Sequence, residues 1–424
     1  MDRTPINQWH YIIFPKCSCR NSVILFLMSS KILLVPAWYP SSFFIEQMNL
    51  VEDAFEFKVL VGKKNIIGKK SAIRKIISGK FEWLNWNIGN SNQEKKQVIT
   101  VDYSYINSLP KIFEQKQYNH LNNCFYKVFD KLVQSGWKPD LIHIQSLSDV
   151  SVFVCNCAEK YGIPVILTEH IVYVRRDFNF FQSEKERVYS RVNKVLCASN
   201  YVYRNLLMNG FTLKDVEIIG NFVEDKFVPQ TFGKKDIDNK ILFVASHFAD
   251  KDIEVLIEAV KILIAEKFTV FTVDIIGIDP NQYYQNEDNA NYLLKREIDS
   301  MGLSEYFDIK GIMTKGDLLK AYKSYSILVS TSLSETFGLA VAEAILNGLP
   351  VVCTDSGGIS DFVNESNGII VPIRNPIALA CAIKELLKNL PKYDSLKISN
   401  KIRQSYGVKA FSEKISNEYR KLII

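Results

Sequence analysis

Short apolar runs alternate with longer amphipathic segments along most of this 424-residue chain. The runs have the length and the β-branched or leucine-rich composition of buried strands. We predict strands at Lys31–Pro36, Lys58–Val61, Leu141–Ile144, Val165–Thr168, Lys194–Ala198, Val216–Ile219, Ile241–Ala245, Thr272–Ile276, Phe307–Ile309, Ser326–Val329, Val351–Cys353 and Gly368–Val371. The amphipathic segments predict helices at Ser151–Tyr161, Asn200–Gly210, Ile253–Glu266, Asp317–Ser324, Leu339–Asn347 and Ile377–Asn389. This order predicts an α/β protein whose parallel sheets are covered by helices on both faces.

The alternation is interrupted once, by a polar and turn-rich stretch that begins at Val228 and ends at Lys240. The strand pattern resumes directly afterwards, at Ile241. A chain of this length suits two domains. We therefore predict Rossmann-like domains over residues 28–228 and 241–405, joined by a linker over residues 229–240. Because open α/β sheets bind ligands at the carboxyl ends of their strands, the site is expected in the cleft between the domains.

The composition excludes several classes of protein. A hydrophobic content of 47% with 23% charged residues is typical of a globular chain, and a net charge of +6 does not indicate a nucleic-acid binder. Cys155, Cys157, Cys197 and Cys353 lie in apolar segments, which favours buried thiols in a reducing compartment. The Cys-x-Cys pairs lack the spacing of a zinc site, so no metal centre is predicted.

The N-terminal residues are interpreted as an addition to the folded chain. No apolar run approaches the roughly 18 residues that a membrane span requires. The run from Val23 to Met28 imitates a signal peptide but has no small-residue cleavage site. We expect Met28 to be the true start, residues 1–27 to be an extension or a mis-annotated start, and the protein to be cytoplasmic.

The segment from Ser334 to Glu343 carries the clearest chemistry. A turn containing Gly338 leads into a helix, and first-turn amides, those of Phe337, Gly338 and Leu339, can hold an anion such as a phosphate. Two carboxylates beside a phosphate site would repel the phosphate, but they can accept hydrogen bonds from hydroxyls. The pattern therefore predicts a ligand with both phosphates and hydroxyls, as in a sugar nucleotide.

This block closely resembles the E-x7-E region of retaining glycosyltransferases of family 4, with Glu343 eight positions after Glu335. The following Gly348-Leu349-Pro350-Val351-Val352 and Asp355-Ser356-Gly357-Gly358 also resemble that family. The resemblance implies the GT-B fold, in which two Rossmann-like domains face each other. It places Glu335 near the donor sugar, the backbone from Thr336 through Phe337 and Gly338 to Leu339 at the sugar and diphosphate, and Glu343 at the ribose hydroxyls.

Two further segments extend the resemblance. Val244 to Asp252 is similar to the family's strand, loop and helix in which an Arg and a Lys neutralise the diphosphate. Lys251 falls at the Lys position, whereas Ser246 stands where many members have Arg. His170 ends a strand where members place a His that contacts the sugar or the acceptor. His143, inside an apolar run, is interpreted as a core histidine.

Both ends of the folded chain also resemble the family. Ile32–Pro40 followed by Phe43 to Gln47 looks like its first strand, loop and helix, although Ser41-Ser42 stand where members commonly carry glycines. The tail from Tyr406 to Leu422 resembles the terminal helix that returns to the N-terminal domain.

Residues 63–80 are rich in lysine and arginine and contain no acidic residue. Ile66, Ile73 and Ile77 recur near helical spacing, and Trp83 and Trp86 follow. Such a basic amphipathic segment, Lys63 to Lys80, can lie on an anionic membrane surface. A solvated charged face is the alternative interpretation.

The predicted function is transfer of a sugar with retention, without a metal or a further cofactor, from a UDP- or GDP-linked donor. The resemblance implies attack on the same face as the leaving group, with the donor's phosphate oxygen taking the acceptor proton. Lys251 would stabilise the diphosphate, while Glu335 and His170 position the reactants. The expected acceptor is a glycan or a polyprenyl-linked lipid in polysaccharide biosynthesis, at the inner face of the plasma membrane.

Two other functions remain open from the sequence. One is a sugar-nucleotide 2-epimerase, which has the same architecture. The other is a catalytically weak, membrane-associated binding subunit, prompted by Ser246 and Ser41-Ser42. An NAD-linked dehydrogenase is not supported, because no G-x-G-x-x-G follows a predicted strand.

Overall fold

The structure is a computed structural model. It describes residues 29–37, 42–67, 87–93, 96–106, 111–173, 180–225, 239–245, 249–279, 284–285 and 291–423. The predicted extension over residues 1–27, almost all of the predicted linker and Ser246 lie outside the described residues.

The first domain is built on an eight-stranded sheet. Its strands are β1 (Ser30–Pro36), β2 (Phe55–Ile67), β3 (Asn87–Gln93), β4 (Lys96–Ile106), β5 (Leu141–Gln145), β6 (Val165–Glu169), β7 (Lys194–Cys197) and β8 (Val216–Ile218). Their spatial order is β3-β4-β2-β1-β5-β6-β7-β8. The helices of this part of the chain are α1 (Ser42–Asn49), α2 (Lys111–Gln134), α3 (Asp149–Tyr161), α4 (Phe180–Arg191) and α5 (Asn200–Met208).

The second domain has a six-stranded sheet in the order β13-β10-β9-β14-β15-β16. Its strands are β9 (Lys240–Val244), β10 (Thr272–Ile276), β13 (Phe307–Gly311), β14 (Ile327–Ser330), β15 (Val351–Thr354) and β16 (Gly368–Val371), and β11 (Tyr284–Gln285) and β12 (Asn291–Tyr292) form a separate antiparallel pair. The helices are α6 (Ile253–Ala265), α7 (Leu294–Ser300), α8 (Lys315–Ala321), α9 (Leu339–Leu346), α10 (Pro376–Lys388) and α11 (Ser395–Tyr406), and the chain ends in α12 (Val408–Leu422).

The central strands are apolar along their whole length because helices cover both faces of the sheet. In β1, the run from Ile32 to Val35 is at most 1% exposed. Every pair in the two large sheets is parallel except β3 with β4, which is antiparallel. The predicted parallel sheets are thus present, and this one edge pair is antiparallel because the chain reverses between Gln93 and Lys96.

The terminal helix α12 packs against the first domain, as the resemblance implied. Phe411, Ile415 and Tyr419 join the core that lines one face of the first sheet. The Tyr419 hydroxyl lies 2.7 Å from His143 Nδ1 on β5. His143 is fully buried, and burial lowers its pKa to about 3, so the ring is neutral. The interpretation of His143 as a core histidine agrees with this contact.

A buried ion pair fixes the same helix. Glu418 Oε2 lies 2.7 Å from Lys194 Nζ on β7, and the two side chains are 6% and 7% exposed. Lys194 Nζ also lies 3.2 Å from Asp215 Oδ2 at the surface. The positive charge of Lys194 lowers the pKa of Glu418 against the opposing effect of burial.

The basic segment that was predicted to be helical begins as a strand. Lys63 and Lys64 lie on β2, where Lys63 pairs with Asp102 and Lys64 with Tyr103 of β4. Lys64 Nζ lies 2.6 Å from Asp149 Oδ2. The helical interpretation is therefore wrong up to Ile67, because pairing with β4 overrides the local spacing of isoleucines. Residues 68–80 lie outside the described part of the chain.

We expect Glu418→Gln to lower the free energy of unfolding by about 3 kcal/mol, because it leaves the buried Lys194 ammonium without its nearer carboxylate. Urea denaturation measures this. The matched control is Glu413→Gln on the same helix, whose carboxylate lies 3.9 Å from Lys409 in an exposed pair. That change should cost less than about 0.5 kcal/mol. Equal losses for the two variants would contradict the docking role of Glu418.

Candidate active site

The site lies at the carboxyl ends of β9, β14 and β15, where a parallel sheet of this type binds its ligands. A single 3₁₀ turn, Ala249–Lys251, follows β9 and precedes α6. The loop after β14 is tied to this turn, because Thr331 Oγ1 donates to the Lys251 carbonyl at 2.5 Å. The Leu333 amide likewise donates to the Asp250 carbonyl at 2.9 Å. These two hydrogen bonds fix the position of the loop after β14 relative to the 3₁₀ turn.

Lys251 and Glu335, which are 84 positions apart, form an ion pair in this corner. Ser332 Oγ donates to Glu335 Oε1 at 2.8 Å and lies 3.3 Å from Lys251 Nζ. The Lys251 and Glu335 side chains are 17% and 18% exposed. Two residues predicted to handle the donor are thus in direct contact, at a position that is partly exposed to solvent.

Glycines permit the close backbone approach that shapes the loop between β14 and α9. The Glu335 amide donates to the Ser356 carbonyl and the Gly358 amide to the Glu335 carbonyl, each at 2.8 Å. A Cβ on Gly358 would lie 2.3 Å from the Thr336 carbonyl oxygen. Gly338 has φ of +92°, and a Cβ there would meet Ile359 at 2.4 Å. The glycines are therefore needed because the backbone segments around Glu335 and Gly358 pack directly against each other.

Helix α9 begins directly after Gly338. The Ala342 amide donates to the Gly338 carbonyl, so the amides that precede it in the first turn have no acceptor within the helix. Among the predicted donor contacts, Leu339 is 37% exposed, whereas the Phe337 side chain is 1% exposed and packs on Phe362 and Tyr406. Phe337 can therefore offer a ligand its backbone only.

Glu343 lies one turn further along α9. The Tyr322 hydroxyl donates to Glu343 Oε2 at 3.1 Å. Burial raises the pKa of the Glu343 carboxyl, while Tyr322 and the charge of Lys315 oppose that shift. Lys315 Nζ in turn lies 2.9 Å from Glu46 Oε2 on α1 of the first domain and 3.6 Å from Glu224 Oε2. Glu343 is thus placed beside a charged contact between the two domains.

His170 follows β6 of the first domain. Its Nε2 lies 2.7 Å from Gln145 Oε1. Phe43 and Phe44 of α1 pack against the ring, with centroids 5.4 and 5.6 Å away. Burial lowers the pKa of His170 to about 4, with the side chain of Asn221 opposing the shift, so the imidazole is neutral near pH 7.

The first domain reaches the Glu335 loop through α5. The Tyr201 hydroxyl lies 3.2 Å from Ser334 Oγ. The Asn200 amide donates to Asp361 Oδ2 at 2.8 Å, which places a carboxylate at the helix N-terminus. The Tyr201 ring also covers Gly357, where a Cβ would lie 2.4 Å from the ring. These contacts close one side of the cleft.

Sequence motifs did not point to several residues of this region. Gln145, Lys315 and Tyr322 belong to no motif that we used, and only the fold brings them beside His170 and Glu343. In the described part of the chain, no cluster of three or more His, Cys, Asp or Glu side chains has the arrangement of a metal site.

Two family profiles match adjoining parts of the chain. The profile for glycosyltransferase family 4 matches residues 91–227, and the profile for glycosyl transferases group 1 matches residues 224–403. Together they contain both His170 and the Lys251–Glu335 pair. The chain belongs to the family 4 glycosyltransferases.

Two curated proteins and one solved structure agree with this. An uncharacterized glycosyltransferase of Methanocaldococcus jannaschii is 25% identical over 354 residues, which are 82% of this chain and 89% of the relative. The poly(ribitol-phosphate) alpha-N-acetylglucosaminyltransferase of Staphylococcus aureus is 25% identical over 70% of this chain, but the match spans only 58% of that relative. The structure of Anabaena HepE in complex with UDP has a TM-score of 0.63 and 16% identity, over 92% of this chain and 100% of that chain.

The similarity in structure confirms the predicted GT-B fold with two Rossmann-like domains, and the family match confirms that this glycosyltransferase is an enzyme of the transferase class. The 2-epimerase alternative is not favoured. Among the described residues, none of the helices combines the length and the apolar composition needed to cross a bilayer.

Gly357→Ala tests whether the contact between α5 and the Glu335 loop holds the domains together. The control is Gly136→Ala, because Gly136 also has a positive φ, of +81°, but no atom within 4 Å of its added Cβ. The control should lower the free energy of unfolding by roughly 1–2 kcal/mol from backbone strain alone. Gly357→Ala should cost a further 1–3 kcal/mol or so from overlap with Tyr201.

Urea denaturation of both variants measures the difference. Adding Tyr201→Ala to Gly357→Ala should remove the extra cost, since the ring that the Cβ meets is gone. If the two glycine variants lose the same stability, Tyr201 does not press on this loop in solution.

Proposed function

We propose that this family 4 glycosyltransferase moves a sugar, with retention of configuration, from a nucleotide-sugar donor to a glycan or polyprenyl-linked acceptor in polysaccharide biosynthesis. The observation that carries the proposal is the contact of Lys251 with Glu335 beside the N-terminus of α9. A cation, unpaired amides and a carboxylate meet there, and a sugar diphosphate needs all three kinds of group.

In the ligand-free arrangement Lys251 and Glu335 satisfy each other. A diphosphate competes for the Lys251 ammonium because it carries more negative charge than one carboxylate. Once Lys251 turns to the phosphates, Glu335 is released to accept hydrogen bonds from the sugar hydroxyls. Ser332, which contacts both side chains, keeps Glu335 oriented during this exchange.

Glu343 is proposed to bind the ribose. Tyr322 fixes the orientation of the carboxyl group, whose oxygens accept hydrogen bonds from a diol. Burial raises the pKa of Glu343, and Tyr322 and the charge of Lys315 oppose that rise. The structures of Anabaena HepE with UDP and with UDP-glucose support a UDP-linked donor. A GDP-linked donor is the other candidate.

The proposed reaction proceeds on one face of the sugar. The bond from the anomeric carbon to the diphosphate oxygen breaks, and a bond to the acceptor oxygen forms on the same side. The departing phosphate oxygen takes the acceptor proton. Lys251 and the amides of α9 stabilise the negative charge as it develops, without a metal ion. His170, neutral near pH 7, contacts a hydroxyl as a hydrogen-bonding group rather than as a cation. Ser246 is proposed to complete the diphosphate site.

We expect transfer from a UDP- or GDP-sugar to a polyprenyl-phosphate or glycan acceptor, in the presence of EDTA and with retention. Lys251→Ala and Glu335→Ala should each lower kcat/KM by about 100-fold or more, since each removes charge stabilisation or sugar orientation. Product NMR and nucleotide release measure the reaction. The control is Lys261→Ala, which breaks an exposed pair with Glu258 on α6 and should keep the activity.

Near-normal turnover in both site variants would refute the assignment of Lys251 and Glu335. Nucleotide-sugar binding without transfer to any acceptor would instead favour the catalytically weak binding subunit.

We also propose that the enzyme is cytoplasmic and docks peripherally on the inner face of the plasma membrane through its basic segment. Lys63 is exposed on β2, and the segment continues with Lys69, Lys70, Arg74, Lys75 and Lys80, which lie outside the described residues. Each basic residue near an anionic surface contributes about 1 kcal/mol. Lys64 contributes less, because it is paired with Asp149. A lipid-linked acceptor would be presented at the same surface.

Charge reversal of Lys63, Lys69 and Lys70 should reduce co-sedimentation with vesicles of phosphatidylglycerol and phosphatidylcholine at least tenfold. The control variant is Lys409→Glu, at a side chain that is 87% exposed on α12. Unchanged co-sedimentation after the triple reversal would exclude this segment as the membrane contact.

A further inference from the structure

A chain of buried hydrogen bonds runs from the terminal helix to His170. Tyr419 on α12 contacts His143 Nδ1 at 2.7 Å, and His143 Nε2 lies 3.3 Å from Gln145 Nε2. Gln145 Nε2 also donates to Gln47 Oε1 on α1 at 3.1 Å. The last link is Gln145 Oε1 to His170 Nε2, at 2.7 Å. The Gln145 amide on β5 therefore contacts α1 and the end of β6 directly, and it reaches α12 through His143.

The hydrogen-bonding directions in this chain are determined by the Gln145 amide. Its nitrogen carries two protons, which point to Gln47 Oε1 and to His143 Nε2. Its oxygen can only accept, so the proton between Gln145 and His170 must belong to His170 Nε2. Thr168 Oγ1 also lies 2.7 Å from His143 Nε2. Because the Gln145 nitrogen can only donate, it assigns the lone pair of His143 to Nε2 and the proton to Nδ1, the opposite arrangement to His170.

Both rings are neutral, which leaves a lone pair on His170 Nδ1. Burial lowers the pKa of both imidazoles far below 7. Among the described residues, His170 Nδ1 has no hydrogen-bond partner, and neither has Asn221 Oδ1. Asn221 opposes the lowering of the His170 pKa through a side-chain hydrogen bond, so its side chain lies beside the ring. With the proton on Nε2, neither His170 Nδ1 nor Asn221 Oδ1 can donate to the other, and a hydroxyl or a water supplies the missing donor.

We propose that Gln145 is a positioning residue that holds His170 in the Nε2–H tautomer, so that Nδ1 accepts a hydrogen bond from a substrate hydroxyl. The identity of that hydroxyl as part of a sugar donor or acceptor rests on the proposed function, whereas the tautomer does not. The rings of Phe43 and Phe44 pack against the imidazole. The low polarity of these rings strengthens a hydrogen bond that a hydroxyl makes to Nδ1.

The tautomers can be observed directly by NMR of the full chain with ¹⁵N-labelled histidine, because the sequence contains only five histidines. His170→Asn and His143→Asn identify the two signals. We expect His170 as Nε2–H and His143 as Nδ1–H, both unprotonated on the second nitrogen from pH 6 to pH 8. Finding His170 with its proton on Nδ1 would overturn the proposal.

Gln145→Leu removes the amide and should leave His170 with averaged shifts of two exchanging tautomers. In a transfer assay with the UDP- or GDP-sugar that the wild type uses, kcat should fall roughly 10- to 100-fold. KM for the donor should change by less than about threefold. The matched control is Gln117→Leu on α2, another buried glutamine, at 1% exposure, which should change neither the tautomer nor kcat. Melting temperatures of both variants separate a general loss of stability from the loss of the tautomer.

Gln145→Glu provides a conservative variant. A carboxylate keeps an acceptor for Nε2–H, so the tautomer should persist, but its charge raises the pKa of His170. The acid limb of the pH–rate profile should therefore move to higher pH in this variant and stay in place in the Gln117 control.

A tautomer that is unchanged in Gln145→Leu, or a kcat that is unchanged when the tautomer is lost, would refute the role of Gln145. If the tautomers are as expected but the wild type transfers no sugar, the proposed function fails while the assignment of the tautomer by Gln145 is supported.

Discussion

The return of the C-terminal helices across both domains is the contact on which the geometry of the site depends. Tyr406, at the end of α11, packs its ring on Phe337 of the Glu335 loop. The Tyr406 carbonyl accepts a hydrogen bond from the Val223 amide, in the segment that leaves the first domain. A Cβ on Gly220 would lie 2.3 Å from the same ring. Tyr406 thus joins the Glu335 loop, the segment from Gly220 to Val223 and the start of the terminal helix. The buried pair of Glu418 and Lys194 then fixes α12 on the first sheet.

The two halves of the site are held by different kinds of force. On the second domain, Lys251 and Glu335 form a partly exposed ion pair, and the proposed reaction requires a ligand to displace this contact. On the first domain, His170 is enclosed by aromatic rings and by neutral hydrogen-bonding groups, where rearrangement is costly. A partly exposed ion pair on one domain and a neutral histidine on the other suit the proposed reaction, in which charge develops mainly on the leaving diphosphate.

Much of the fold could be predicted because strands buried on both faces are apolar without interruption. Each of the twelve predicted strands is present. Among the described strands, β3, β4 and the short pair β11 and β12 were not predicted. Strand β3 lies at a sheet edge and reads Asn-Ile-Gly-Asn-Ser-Asn-Gln, which offers no apolar pattern. Helix α2 was missed although Leu121, Phe125, Val128 and Phe129 follow helical spacing, because polar residues dominate the segment around them. The helical prediction at Lys63 and Lys64 failed because pairing between strands decides their conformation.

For the site, the sequence by itself determined the local chemistry: a glycine turn before α9, two glutamates on one segment and a lysine after β9. These depend on neighbours in the chain, and a motif can therefore represent them. Tertiary structure alone decided that Lys251 meets Glu335, that Lys315 joins Glu46 beside Glu343, and that Gln145 stands between two histidines. Each of these contacts joins residues from separate elements. The distances between those residues depend on how two sheets and the terminal helix pack, and the spacing of residues along the chain does not determine that packing.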